Sequence, residues 1–230
     1  MEFCAATGNA GKLKELRRIL AAQGHTVKSQ KELGILMEPD ETGSSFAENA
    51  LIKAKAICAL AHCPTIADDS GLVVDALGGA PGIYSARYCG RHGDDEGNNN
   101  KLIAAIRDIP PHERSAKFVS AVCLYFPDGE CNLFLGECPG RVDTVRRGTN
   151  GFGYDPLFVP DSVGCADGTL CPNTDQRSYA ELRDEEKDAI SHRGNALRAM
   201  QSALDALLRA QDKKTTVTEL CKKPHNNTNV

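Results

Sequence analysis

Two adjacent carboxylates, Asp68 and Asp69, followed by Ser70 and Gly71, interrupt an otherwise apolar run between Ile66 and Leu77. A carboxylate buried without a cation or hydrogen-bond donors costs several kcal/mol, on the order of 2–7, so residues 66–72 call for partners elsewhere in the chain. A divalent metal carrying phosphate is one such partner, because hard cations take carboxylate oxygens. An acidic β-turn is the competing reading, since Asp-Asp-Ser-Gly is also good turn chemistry at the end of a strand pattern. If a strand instead continues through both residues, their side chains leave on opposite faces and only one meets a metal. Which of the two that is, alternation alone leaves open.

A second candidate is Thr7-Gly8-Asn9-Ala10-Gly11-Lys12, between a short strand at 3–6 and a helical pattern to about residue 23. A turn opening a helix gathers unpaired N–H groups and a partial positive charge, which suits phosphate, and Lys12 adds a full charge. The spacing is not that of a Walker A loop, and Leu13 stands where a metal-binding Ser or Thr would be. The alternative is an ordinary strand-to-helix turn with solvated lysines. Ser45-Phe46-Ala47-Glu48 reads as a capping box opening an Ala-rich helix to about residue 62, with Asn49 and Lys53 one turn apart on a stripe. Lys53 could aim at a ligand or at solvent.

Further along, residues 148–156 form a glycine cluster holding Phe152, Gly153, Tyr154 and Asp155. Aromatic faces suit a flat heterocycle; core aromatics beside a loop are the other reading. Ser178 and Glu181 make another capping box, opening a short charged helix through Lys187. His192 and Arg193 start a helix whose Leu197, Met200, Leu204, Leu207 and Leu208 form a core stripe. Cations at a helix start are disfavoured by the dipole unless an anion or acceptor-rich ligand faces them. Lys12, Lys53, Lys187, His192 and Arg193 together with Asp68, Asp69 and Glu41 make a triphosphate and Mg²⁺ inventory.

The elements that must position these groups alternate between strand and helix. A helix carrying Leu102, Ile103 and Ile106 follows a polar linker at 94–100, and residues 116–126 and 132–138 form a hairpin around Asp128-Gly129. Residues 160–177 read as a long irregular loop and 212–230 as a polar, disordered tail. With 230 residues, 41% apolar and 25% charged, the chain fits a globular protein. A net charge of −4 argues against a broad nucleic-acid surface. With no apolar run of membrane length and no secretory signal, the expectation is a cytoplasmic protein without a membrane partner. Ten scattered cysteines lack zinc-site spacing and are expected to be reduced; only Cys165 and Cys171 lie close enough to bridge easily.

Five blocks carry a family resemblance: Thr7-Gly8-Asn9-x-x-Lys12, Phe46-x-x-Asn49-Ala50-x-x-Lys53-Ala54, Ala67-Asp68-Asp69-Ser70-Gly71-Leu72, Phe152-Gly153-Tyr154-Asp155-Pro156 and Ser191-His192-Arg193-Gly194. In type and order they resemble the signature blocks of the inosine triphosphate pyrophosphatase family. The resemblance implies an elongated α/β fold: a long mixed sheet flanked by helices, forming two lobes around a central nucleotide cleft, one unit over residues 1–211. It implies hydrolysis of inosine, deoxyinosine and xanthosine triphosphates to monophosphate and pyrophosphate, with Mg²⁺ as cofactor and a homodimer as assembly. By position, Thr7, Gly8, Asn9, Ala10, Gly11, Lys12 and Lys53 would hold phosphates. Asp69 would be general base and metal ligand, with Glu41 a second ligand and Lys12 part of the catalytic set. Ser70 would touch substrate, Phe152, Gly153, Tyr154 and Asp155 would stack on and border the base, and Lys187, His192 and Arg193 would bind its oxygen edge. A pyrophosphatase for modified pyrimidine triphosphates and a non-catalytic nucleotide sensor are the alternatives.

Overall fold

The computed structural model describes residues 1–22, 24–165 and 167–222. Strand β1 (Glu2–Ala5) runs into helix α1 (Ala10–Ala21), and Asn9 caps the helix by accepting a hydrogen bond from the Lys12 N–H at 3.0 Å. Strand β2 (Thr26–Ser29), which the sequence pattern does not predict, lies parallel to β1. Helix α2 (Phe46–Ala61) starts at the expected Ser45, whose hydroxyl accepts from the Glu48 N–H. The Glu48 carboxylate reaches back to Ser44 instead of Ser45, so the reciprocal half of the box is displaced by one residue.

Strand β3 (Thr65–Val74) is unbroken through the Asp-Asp-Ser-Gly stretch, which overturns the turn reading. It pairs antiparallel with β4 (Ser115–Tyr125), placing Asp68 opposite Val122 and Asp69 opposite Ala121. The strand accepts two carboxylates because each face of the sheet brings cations to them. The expected Asp128-Gly129 hairpin joins β4 to β5 (Cys131–Val142), and β6 (Phe158–Pro160) completes a sheet of order β2-β1-β3-β4-β5-β6. The sheet is mixed: β1 is parallel to both neighbours and the remaining pairs are antiparallel.

Four segments depart from the sequence reading. Helix α3 (Asp95–Ile106) begins inside the supposed linker, because Asp94 caps the Gly97 N–H at 2.9 Å. Its Asn98 and Asn99 are buried against backbone groups of Cys89, Ala86 and Gly153, which hydropathy does not reveal. Within 160–177, β7 (Ser162–Gly164) and β8 (Leu170–Pro172) form a small hairpin, and Cys165 and Cys171 are bonded as a disulfide where reduced thiols were expected. The Ser178 capping box closes a single 3-10 turn, Tyr179–Glu181, and helix α4 (Asp184–Ile190) starts afresh. Helix α5 (His192–Lys222) runs on through most of the segment expected to be disordered. No Gly or Pro intervenes between Gly194 and Pro224 to stop it. The rest of that segment, 223–230, lies outside the described residues.

The apolar core has a centre in each of two lobes that share β3 and β4. In the first, Phe3, Ile66, Val122 and Leu124 pack under α1 and α5, while Cys4, Ala67, Ala121 and Cys123 pack under the alanines of α2 on the other side of the sheet. In the second, Leu72, Val74, Phe118, Phe158 and Tyr179 gather with α3 and α4. The carboxylates of β3 fall between these centres.

Candidate active site

A cleft of about 1000 Å³ opens between the lobes. Every residue assigned a site role from sequence lines it: 7–12, Glu41, Lys53, Asp69, Ser70, 152–155, Lys187, His192 and Arg193. Asp68 does not, because its side chain is fully buried behind Lys12 and Arg193, which do.

On the α2 face, Asp69 Oδ2 accepts from Asn49 Nδ2 at 3.1 Å and Oδ1 lies 3.3 Å from Lys53 Nζ. Lys53 is one turn after Asn49 and also donates to Glu41 Oε1 at 2.7 Å and to the Asp68 carbonyl at 3.0 Å. Asn49, fully buried, spends its carbonyl on the Gly43 N–H at 2.8 Å, which fixes its amide nitrogen toward Asp69. Glu41 is held from outside by Arg87 at 3.3 Å. That arginine arrives on the 3-10 turn Gly82–Arg87, which packs on β3 because Gly71 has no Cβ to collide with Ser85 and Gly82. Burial raises the Asp69 pKa above the ordinary carboxylate value against the pull of Lys53 and Lys12. Burial also acts on Glu41, yet Lys53 outweighs it and lowers that pKa. The two carboxylates that share Lys53 are thus pushed in opposite directions, Asp69 toward greater basicity and Glu41 toward less.

On the opposite face, Asp68 receives Lys12 Nζ at 2.9 Å, Arg193 Nη2 at 3.0 Å, Ser70 Oγ at 3.2 Å and the Ser120 hydroxyl. Burial presses its pKa upward, but Arg193 and Lys12 prevail and hold it well below the ordinary range. Asp68 is a fixed anion that orients two cations. Lys12, itself lowered by burial against the pull of Asp68, sits beneath the helix start whose Thr7, Gly8 and Asn9 line the mouth.

The far end of the cleft is built by α1, α4 and α5. Lys187 Nζ donates to Asp155 Oδ2 at 2.7 Å and to Glu15 Oε1 at 2.9 Å, and Arg193 donates to Glu15 and, at 2.9 Å, to Ser70 Oγ. Burial lowers the Lys187 pKa less than Asp155 and Glu15 raise it, so the ammonium persists. His192 is neutral, held well below its usual value by burial and by Arg193. Its ring stacks on Phe118 at 4.8 Å and 11°. Two buried polar atoms here have no hydrogen-bond partner: His192 Nδ1 and Arg193 Nε. A buried orphan donor or acceptor costs about 1–3 kcal/mol, and a ligand with complementary edges would satisfy both.

The glycine-rich segment divides its residues. Tyr154 is turned into the second-lobe core and its hydroxyl donates to the Ser85 carbonyl at 2.9 Å, so it presents no ring face to a base. Phe152 lines the cleft. It lies over the start of α1, where a Cβ on Gly11 would come within 2.5 Å of its ring, and Lys187 Nζ sits 5.2 Å from its centroid. Asp155 accepts the Phe152 N–H at 3.0 Å and so steers that ring.

Sequence reasoning did not single out Glu15, Ser120 or Phe118. Glu15 follows Lys12 at helical i+3 spacing and resembles a solvated surface pair, yet it is only 6% exposed. Ser120 and Phe118 reach the site through the antiparallel register of β3 and β4, a non-local pairing. Among the described residues no helix is long and apolar enough to cross a membrane.

Comparison with known proteins places this geometry. The Ham1 family profile matches residues 3–203. The dITP/XTP pyrophosphatase of Mycolicibacterium paratuberculosis is 46% identical over 209 residues, covering 90% of this chain and 97% of its own. That of Bifidobacterium longum is 41% identical over 251 residues, covering 90% of this chain and all of its own length. Among solved structures, the Staphylococcus aureus Ham1 protein superposes with a TM-score of 0.74 at 36% identity, covering 90% of this chain and 99% of its own. A Mycobacterium abscessus nucleoside-triphosphatase / dITP/XTP pyrophosphatase superposes at 0.65 with 44% identity, covering 87% and 98%. The resemblance carried by five short blocks thus extends along the chain and through its fold, and the chain belongs to the Ham1 family.

Proposed function

We propose that this chain hydrolyses inosine, deoxyinosine and xanthosine triphosphates to the nucleoside monophosphate and pyrophosphate. The observation that carries the reading is one cleft with two chemically distinct groups of side chains. Lys53, Asp69 and Glu41 gather on the α2 face of β3, and Phe152, Lys187, His192 and Arg193 gather with α1, α4 and α5, with Lys12 on Asp68 beside Arg193. The first set suits a triphosphate and the second a flat base with an oxygen edge. The dITP/XTP pyrophosphatase names of relatives at 41–46% identity support the same substrate class.

The donor set fits Mg²⁺. Asp69 and Glu41 are both within 3.3 Å of one ammonium, so two hard oxygen donors already converge on a single cationic position. Among the described residues no group of three or more His, Cys, Asp or Glu comes together, and phosphate oxygens and water would supply the remaining ligands. When bound, the ion would neutralise charge on the phosphates.

Asp69, raised in basicity by burial, takes the proton from the water that attacks the α-phosphorus, and Asn49 holds its carboxylate in register. The α–β anhydride bond breaks as the new P–O bond forms, and the leaving pyrophosphate gathers negative charge beside Lys53 and Lys12. Their preorganised charge lowers the barrier because it meets charge that develops in the transition state. At the other end Phe152 stacks on the base. Arg193 Nε–H donates to a base oxygen, and adenine's 6-amino group would bring a donor against a donor. Assembly as a cytoplasmic homodimer belongs to the proposal on the strength of the family resemblance.

The test is initial rates with Mg²⁺ on inosine, xanthosine, guanosine, adenosine and uridine triphosphates, scoring pyrophosphate and orthophosphate separately. Pyrophosphate from the first two, with little from the others, is expected. Turnover led by uridine triphosphate would support the pyrimidine alternative, and binding without product would make the chain a sensor.

A further inference from the structure

Among the described residues Glu15 is the one carboxylate that bridges the two cations at the base end. Its Oε1 accepts from Lys187 Nζ at 2.9 Å and its Oε2 from Arg193 Nη1, joining α1 to α4 and α5 across more than 170 residues of chain. Each cation has one further acid: Asp155 for Lys187 at 2.7 Å, and Asp68 for Arg193 at 3.0 Å. With Lys12 on Asp68, the result is an unbroken chain, Lys12–Asp68–Arg193–Glu15–Lys187–Asp155, of three cations and three carboxylates. All six side chains are at least 86% buried. Such a network holds its heads in place, because moving one strands another charge without a partner.

The network also determines what is left over. With Nη1 on Glu15 and Nη2 on Asp68 and Ser70, the guanidinium has only its Nε–H edge unpartnered, and that edge belongs to a cleft-lining residue. The group Arg193 has left to offer an incoming base is therefore a donor, which an oxo group satisfies and an exocyclic amino group does not.

We propose that Glu15 is a positioning residue for base selection: by clamping Lys187 and Arg193 it holds both cationic heads in place and leaves the Arg193 Nε–H as the donor offered to the base. Glu15 touches neither the phosphates nor the reacting atoms. The inference rests on the pyrophosphatase reading above and adds the origin of its preference for oxo-purines over amino-purines.

Glu15→Gln tests it with little change of shape. The amide keeps one acceptor and replaces the other with a donor, so either Lys187 or Arg193 must face an N–H. Losing one hydrogen bond between charged groups is worth about 10- to 100-fold. The expected result is a fall of that size in kcat/KM for inosine triphosphate with a much smaller fall for adenosine triphosphate, so that their ratio narrows. The ratio of xanthosine to guanosine triphosphate should narrow with it, and pyrophosphate should remain the product. A merely structural role would lower every substrate alike and leave both ratios where they were, which would overturn the proposal. Glu15→Asp shortens the clamp by one methylene and retains the charge, so a ratio between wild type and Glu15→Gln is expected. If Glu15→Gln does not fold, Glu15→Asp decides alone: a narrowed ratio supports the clamp and a wild-type ratio overturns it. Failure of the underlying function is separately visible, because the unmodified chain would then release no pyrophosphate from inosine triphosphate.

Discussion

Replacing Asp69 by Asn separates chemistry from folding. The substitution preserves shape but removes the basic oxygen. Lys53 keeps Glu41 at 2.7 Å and the Asp68 carbonyl at 3.0 Å, so its ammonium is not abandoned. The new amide can place its oxygen toward Lys53, which leaves its nitrogen against the Asn49 amide nitrogen now 3.1 Å from Asp69 Oδ2. That donor–donor contact costs about 1–3 kcal/mol. It is offset because the native carboxylate is ionised against burial. A carboxyl with a raised folded-state pKa destabilises the fold at neutral pH, and Asn removes that penalty. The net change in stability is therefore expected to be about 1 kcal/mol or less in magnitude. Loss of a general base lowers kcat by about 10²–10⁴, or about 3–5 kcal/mol of barrier. The assay is pyrophosphate release at saturating inosine triphosphate beside urea unfolding of the same sample. A variant with unchanged unfolding midpoint and kcat within about tenfold of wild type would remove Asp69 as the base.

Three further perturbations follow from the same geometry. The Asn49 hydrogen bond lowers the Asp69 pKa, so Asn49→Ala should move the acid limb of the kcat/KM profile to higher pH, and an unmoved limb would show that Asn49 does not tune the base. Gly11→Ala puts a methyl 2.5 Å from the Phe152 ring; it should raise KM for inosine triphosphate severalfold while thermal unfolding, favoured by the roughly 1 kcal/mol helix preference of Ala over Gly, shows no comparable loss. An unchanged KM would place Phe152 away from the substrate. Burial raises the Glu15 pKa, but Arg193 and Lys187 overcome it and bring it from 4.5 to about 2. A depressed folded-state value contributes stability that is complete above the unfolded value and lost as pH falls from about 4.5 toward 2. By linkage that is about 3 kcal/mol, so denaturant titrations across this range should show a steeper acid loss for wild type than for Glu15→Gln; parallel losses would contradict the clamp's charge.

Much of the site was legible because its residues sit in short blocks with local causes. The helix start at Thr7–Lys12, the Ser45 cap and the i, i+4 pair of Asn49 and Lys53 each follow from helix geometry, and the alternation of a strand separates Asp68 from Asp69. The opposition of their surroundings was legible only in part: alternation predicts two faces, but nothing local says that α1 and α5 cover one and α2 the other. Glu15 was missed because its partners Lys187 and Arg193 lie 172 and 178 residues away. Tyr154 was read with Phe152 as a base neighbour, and only packing shows that its hydroxyl is committed to Ser85. The Asp94 start of α3 was hidden because buried asparagines carry no hydrophobic period. The extension of α5 was hidden because a polar composition describes a solvated helix and a disordered tail equally well.

The most direct test of the account is hydrolysis of inosine triphosphate in ¹⁸O-labelled water with Mg²⁺, reading the label in each product by mass spectrometry. Water attack at the α-phosphorus predicts one ¹⁸O in the monophosphate and unlabelled pyrophosphate, with the signal abolished in Asp69→Asn. Label in the pyrophosphate, or orthophosphate as the first product, would place the attack on another phosphorus and contradict the placement of Asp69 and the two lysines.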